Sequence, residues 1–159
     1  MTSTNETPRP VNIAARFRLG YEGLALIEAA LRNGPIPGTT LELVKIRSSQ
    51  LNGCAYCLDM HHLDAMAAGE TPARLYLLNA WREANVYTPE ERAALALAEA
   101  ITLISVGHVP AEVEAEARKH YDDNAYAALV FAVITINGWN RMAIASHTQP
   151  GNYTPGSNT

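Results

Sequence analysis

Three dipeptides, Thr71-Pro72, Thr88-Pro89 and Val109-Pro110, cut the middle of this 159-residue chain into segments that each open as a helix opens. Proline lacks a backbone N–H and holds φ near the helical value, so it suits the first turn of a helix and is costly further inside. Thr88-Pro89-Glu90-Glu91 adds a capping box, in which threonine and the glutamate three residues on satisfy each other's unpaired backbone donors. No apolar–polar alternation of the kind that builds strands runs between these starts. The reading is all-α: a single-domain bundle of about six to seven helices.

The same punctuation places seven helices. The first covers about Ile13 to Arg32, with Gly20 and Gly23 as points where it can bend, and stops at Asn33-Gly34. After the rigid turn Pro35-Ile36-Pro37-Gly38, Thr39 or Thr40 caps a helix to about Gln50, with Glu42 in its first turn. Asn52-Gly53 breaks the chain before a helix from Ala55 to Ala68, closed by Gly69. Further helices run from Pro72 to about Ala84, Glu90 to about Val106 and Pro110 to His120. Asp122 or Asp123 caps the last and most apolar one, Ala125 to Ser146. Residues 11–147 thus form one helical domain. Residues 1–10 are expected as a flexible N-terminus and 148–159 as a flexible C-terminal arm.

Composition narrows the function classes. Apolar residues make up 48%, enough for a core. The formal net charge is −4, lysine occurs only at 45 and 119, and the arginines are scattered, so a nucleic-acid partner is not expected. Met1 to Pro10 has no signal-peptide core, and the nearest approach to a membrane-spanning run, Ala125 to Ile136, is too short. A cytoplasmic protein without a membrane partner is the expectation. In such a reducing compartment a close cysteine pair reads as catalytic or metal-binding rather than structural.

That pair lies in Asn52-Gly53-Cys54-Ala55-Tyr56-Cys57-Leu58-Asp59-Met60-His61-His62. On a helix starting at the cysteines, Cys54, Cys57 and His61 follow one another at spacings of three and four and share a face, while His62 points away. Unpaired N–H groups and the dipole at a helix N-terminus favour thiolate over thiol, and His61 can stabilise the thiolate or carry its proton. Three readings fit: buried structural residues, a zinc site with a fourth ligand from Glu42 or His62, and a redox dithiol. Zinc sites generally bring a second cysteine or histidine pair, and none is evident, so redox chemistry is favoured and no resident metal or cofactor is expected. Glu42, from spacing alone, is a surface glutamate at a helix N-terminus.

Taken together, Glu42, Arg47-Ser48-Ser49-Gln50-Leu51-Asn52-Gly53-Cys54-Ala55-Tyr56-Cys57 and His61 resemble the alkylhydroperoxidase D branch of the carboxymuconolactone decarboxylase-like superfamily. The likeness continues through Gly69-Glu70-Thr71, Ala80-Trp81-Arg82, Glu91 to Leu95 and Ile136 to Arg141, and so covers about Leu19 to Ala145. The resemblance implies an all-α fold assembled into homo-oligomers, trimers or hexamers. It also implies reduction of a hydroperoxide through a Cys54–Cys57 disulfide, with Glu42 and His61 relaying protons and a lipoyl or thioredoxin-type dithiol protein as reductant. It makes Cys57 the peroxide-reacting sulfur and Cys54 the resolving one, whereas the helix-terminus argument favours Cys54 as nearer the end and more exposed. Tyr56 stands where the better-known alkylhydroperoxidases have histidine. The decarboxylase branch lacks the cysteine pair, which disfavours lactone decarboxylation. The alternative class is a non-enzymatic helical oligomer that uses the cluster as an oxidant sensor or zinc site. Asn140 and Arg141 are candidates for hydrogen bonds across subunits, and Trp81 and Trp139 for core or interface anchors.

Overall fold

The computed structural model describes residues 11–156. The expected flexible N-terminus, residues 1–10, lies outside the described residues. The described chain forms nine α-helices: α1 Ile13–Arg16, α2 Arg18–Arg32, α3 Gly38–Asn52, α4 Ala55–Ala67, α5 Pro72–Leu77, α6 Pro89–Thr102, α7 Ile104–Gly107, α8 Ala111–His120 and α9 Asp123–Ala145. A 3-10 turn, Leu78–Ala80, follows α5. The all-α reading holds, and the number of helices exceeds the expected six to seven because two long segments each break once and leave a short helix behind.

The breaks have local causes. The first segment divides at Phe17 (φ −128°, ψ 67°), not at a glycine. Gly20 instead lies within α2, where a Cβ would come within 2.5 Å of the Phe17 ring. The capping box at Thr88 and Glu91 forms as expected, but α6 stops at Leu103 and α7 restarts for one turn. Thr71 caps α5 and Pro72 opens it, yet the helix ends seven residues short of the expected Ala84. There Arg92 donates to the carbonyls of Trp81, Arg82 and Ala84, so those oxygens need no helical N–H.

α3 is the central element. Leu41, Leu43, Val44, Lys45, Ile46, Arg47, Ser48 and Ser49 are all buried, because α4, α6 and α9 pack around it. A helix covered on every side has no polar face to show, so period alone does not mark it as a core helix. On one side Leu41 and Val44 join Leu97, Leu129 and Val133. On another, Leu43 and Ile46 join Leu75, Leu78, Trp81 and Leu95.

α9 is 23 residues long and apolar enough, by length and composition, to cross a membrane. This corrects the reading of that stretch as too short. Here Leu129, Val133, Ile136 and Asn140 are buried in the protein core instead. Asn140 is fully buried and hydrogen-bonds within its own chain, accepting from Asn52 at 2.8 Å and donating to Ser49 Oγ at 3.0 Å. Arg141 likewise donates to Asn137 on its own helix. Asn140 is thus committed within its own chain, and Arg141 also bonds within it.

Candidate active site

The turn between α3 and α4 sets the site. Gly53 ends α3 in the left-handed region (φ 68°), a conformation that costs glycine nothing, and its N–H returns to Gln50. Cys54 then takes the N-cap position of α4, where its sulfur accepts from the Cys57 N–H at 3.4 Å. Serine, threonine or aspartate commonly fills that role, so here the cap is a redox-capable atom. The two cysteines are joined as a disulfide, with Cα atoms 5.4 Å apart.

The expectation that Cys54 is the more exposed sulfur fails. Both cysteines are 1% exposed, because Ile136 and Ala143 of α9, with Trp139 and Tyr56, cover the start of α4. They differ in what they face. Cys57 lines a cavity of about 760 Å³ and Cys54 does not. The cavity wall is mixed: Tyr21, Tyr56, Met60, Trp139 and Met142 supply apolar surface, and Glu28, Glu42, Lys45, His61 and Asp64 supply charge or proton chemistry. Tyr21 and Trp139 meet edge to face, with centroids 5.2 Å apart.

Glu42 is brought to the cluster from α3. It is the fifth residue of that helix, which is capped at Pro37 with no side-chain cap, so neither the threonine cap nor the first-turn placement of Glu42 is realised. Nor is it a surface residue, its side chain being only 15% exposed. Its Oε2 lies 2.8 Å from His61 Nδ1 and its Oε1 3.2 Å from Lys45 Nζ. Burial pushes the Glu42 carboxyl up, but the hydrogen bond and charge of His61, with those of Lys45, outweigh burial and hold it below its ordinary value. A carboxylate only accepts, so Nδ1 is the protonated nitrogen of His61. Among the described residues Nε2 is buried with no hydrogen-bond partner. In the neutral form of the ring it is the atom that carries the lone pair.

Four groups at this site escape sequence reasoning. Lys45 is 3% exposed and pairs with Glu28 as well as Glu42; a lysine amid Leu43, Val44 and Ile46 was the one available signal. Glu28 comes from α2, and Asp64 lies one turn beyond His61. Tyr153, from the C-terminal segment, donates to Asp64 at 2.8 Å, while the Gly151 N–H donates to Asp59 at 2.7 Å. Burial first, then the Asp64 bond, push the Tyr153 hydroxyl up to about 12.

The zinc ligand set weighed above is not assembled in this form. The sulfurs are bonded to each other, and His62 Nδ1 lies 2.7 Å from the Leu58 carbonyl of its own helix. Among the described residues, the ligating atoms within 4.8 Å of one another belong to Glu42, His61 and Asp64, without either cysteine.

Comparison with known proteins places the chain in a family and a fold. A family model for the carboxymuconolactone decarboxylase family matches residues 19–100. The uncharacterized protein YdfG of Bacillus subtilis (strain 168) is 47% identical over 132 residues, which is 81% of this chain and 90% of that protein. A protein of unknown function from Agrobacterium tumefaciens, considered a candidate antioxidant defence protein AhpD, superposes with a TM-score of 0.86 at 29% identity, over 92% of this chain and all of that one. An uncharacterized peroxidase-related protein from Ralstonia eutropha JMP134, with an alkylhydroperoxidase AhpD core, matches in fold: TM-score 0.76, 20% identity, 87% of this chain and 74% of that one. The chain belongs to the carboxymuconolactone decarboxylase family and has the AhpD-like fold, with a Cys-x-x-Cys pair at its candidate site.

Proposed function

We propose that the protein is a thiol-dependent peroxidase that reduces organic hydroperoxides through the Cys54–Cys57 pair. The observation that carries this reading is that Cys57 faces a largely apolar cavity beside the His61–Glu42 couple. In the reduced protein, His61 Nε2 takes the proton of the Cys57 thiol. The thiolate attacks the distal oxygen of the hydroperoxide, the O–O bond breaks, and the alkoxide takes a proton and leaves as alcohol. Cys57 is then a sulfenic acid. The Cys54 sulfur attacks it, water leaves, and the disulfide forms. A dithiol reductant returns both thiols and departs as its own disulfide.

Both sulfurs are buried, so a lipoyl-type arm that can enter the cavity suits the reductant better than the broad face of a thioredoxin-type protein. The proposed setting is a reducing one, the cytoplasm. A homo-oligomer, trimer or hexamer, is part of the same reading, and exposed Leu103, Ile104, Phe131 and Ile134 give it an apolar face to bury.

The test is to reduce the protein, add cumene hydroperoxide, count free thiols, and then follow turnover with dihydrolipoamide. Loss of two thiols per chain and sustained peroxide consumption are expected. Thiols that no hydroperoxide oxidises, or stoichiometric zinc in protein purified without chelator, would overturn the reading.

A further inference from the structure

Lys45 has no part in the thiol chemistry above, yet it is a cation buried in the wall of the redox cavity. Burying an ammonium group is costly, and an apolar residue in its place would often serve stability as well. Its partners are two carboxylates on different helices, Glu28 of α2 and Glu42 of α3, and Glu42 is the one that holds His61.

We propose that Lys45 is a positioning residue that keeps Glu42 ionised and thereby fixes the His61 tautomer that can accept the Cys57 proton. The proposal rests on the peroxidase reading for its purpose, but its physical content concerns the thiol alone.

The charges around Glu42 show why a cation is needed. Lys45 lies on its own helix, Glu28 and Arg32 face the cavity from α2, His61 and Asp64 from α4, and Tyr153 from the C-terminal segment; α9 contributes no titratable side chain. Ligating atoms of Glu42, His61 and Asp64 all lie within 4.8 Å of one another. Without Lys45, Glu42 would be a buried carboxylate close to a second carboxylate, and both effects drive it to take up a proton. A protonated Glu42 donates instead of accepting. Nδ1 of His61 would then become the acceptor, its proton would move to Nε2, and the lone pair needed by the thiol would be lost. Burial lowers the affinity of Lys45 for its proton, but Glu42 and Glu28 more than restore it and raise its value above the ordinary one, so the charge persists. Glu28 takes a share of that charge and sets how much of it reaches Glu42.

The experiment reads Cys57 ionisation without peroxide. In full-length, reduced Cys54→Ser protein, the rate of iodoacetamide alkylation is followed against pH, with circular dichroism as a check on folding. Lys45→Met should raise the midpoint of the profile by about one pH unit or more, and Lys45→Arg should restore it towards the parent. In a Glu42→Gln background, Lys45→Met should shift the midpoint much less, since the path through Glu42 is gone. A folded Lys45→Met protein with an unmoved midpoint, or with the same shift in the Glu42→Gln background, overturns the proposal. If Lys45→Met does not fold, Glu28→Gln carries the test. Its midpoint should fall as the lysine turns wholly to Glu42, and an unmoved or rising midpoint overturns the proposal. Failure to consume hydroperoxide would sink the peroxidase reading and leave this result standing on its own.

Discussion

His61 donates its Nδ1 proton to Glu42 Oε2 at 2.8 Å, across a separation of 19 residues and from one helix to another. That bond fixes the imidazole and leaves Nε2 as the basic atom of the neutral ring, buried and without a hydrogen-bond partner among the described residues. Orientation of a proton carrier by a second, ionised group is a general device of acid–base catalysis. It makes the site testable one residue at a time.

The two sulfurs are distinguishable. Because Cys57 lines the cavity and Cys54 caps the helix behind it, Cys54→Ser should form a dimedone adduct after one equivalent of hydroperoxide, and Cys57→Ser should form none. Mass spectrometry of the trapped proteins checks this. An adduct on the Cys57→Ser protein reverses the assignment of roles.

Glu42→Gln keeps the size of the side chain and removes its charge. The rate of thiol oxidation by hydroperoxide should fall by about 10- to 100-fold, the usual scale for losing the partner of a catalytic or ligating histidine. The thermal midpoint should fall as well, because the buried Lys45 and His61 lose a carboxylate partner. Stopped-flow thiol kinetics beside thermal melts separate the two effects.

Acid should weaken the fold through two carboxylates. Glu99 accepts from Arg47 at 2.7 Å and from Trp81 at 2.8 Å, with Arg82 on its other oxygen. Burial pushes Glu99 up, but those bonds outweigh it and hold it below 4.5, and Glu42 is likewise held low. Where the folded value is depressed, the unfolded chain binds more protons, so this stability is present above about pH 4.5 and drains away as pH falls through the folded values. Melts taken from about pH 7 to about pH 3 should show a steep loss in the wild type. Glu99→Gln should be less stable at neutral pH and show a shallower acid slope.

Asn140→Ala tests the tie between α9 and the turn before Cys54. It strands the buried Ser49 hydroxyl, while the Asn52 amide loses one acceptor and keeps Asn137, and a buried group left unpaired costs about 1–3 kcal/mol. Urea unfolding should show a loss in that range. A neutral outcome would mean that those groups find other partners.

Tyr153→Phe removes only the hydroxyl that holds the C-terminal segment to Asp64. Limited proteolysis after residue 147 should become faster than in the wild type. Because the Tyr153 hydroxyl is pushed up to about 12, the wild-type tie should hold across neutral and mildly alkaline pH.

Much of the molecule was legible in local sequence, and for local reasons. Thr71-Pro72, Thr88-Pro89 and Asn52-Gly53 act within a few residues of themselves, through a missing N–H, a side-chain cap or a left-handed φ, so the helix starts and the turn before Cys54 could be read directly. The face shared by Cys54, Cys57 and His61 is likewise a matter of helical period. Helix ends were less legible, because their carbonyls can be satisfied from afar, as Arg92 does for Trp81, Arg82 and Ala84. What only the tertiary structure decided was burial and company. It placed Glu42 against His61, hid Cys54 beneath α9, left Cys57 on the cavity, and set Lys45 between two carboxylates. Those outcomes depend on which helices pack together, and hydrogen bonding and desolvation act through space between residues that the chain keeps far apart.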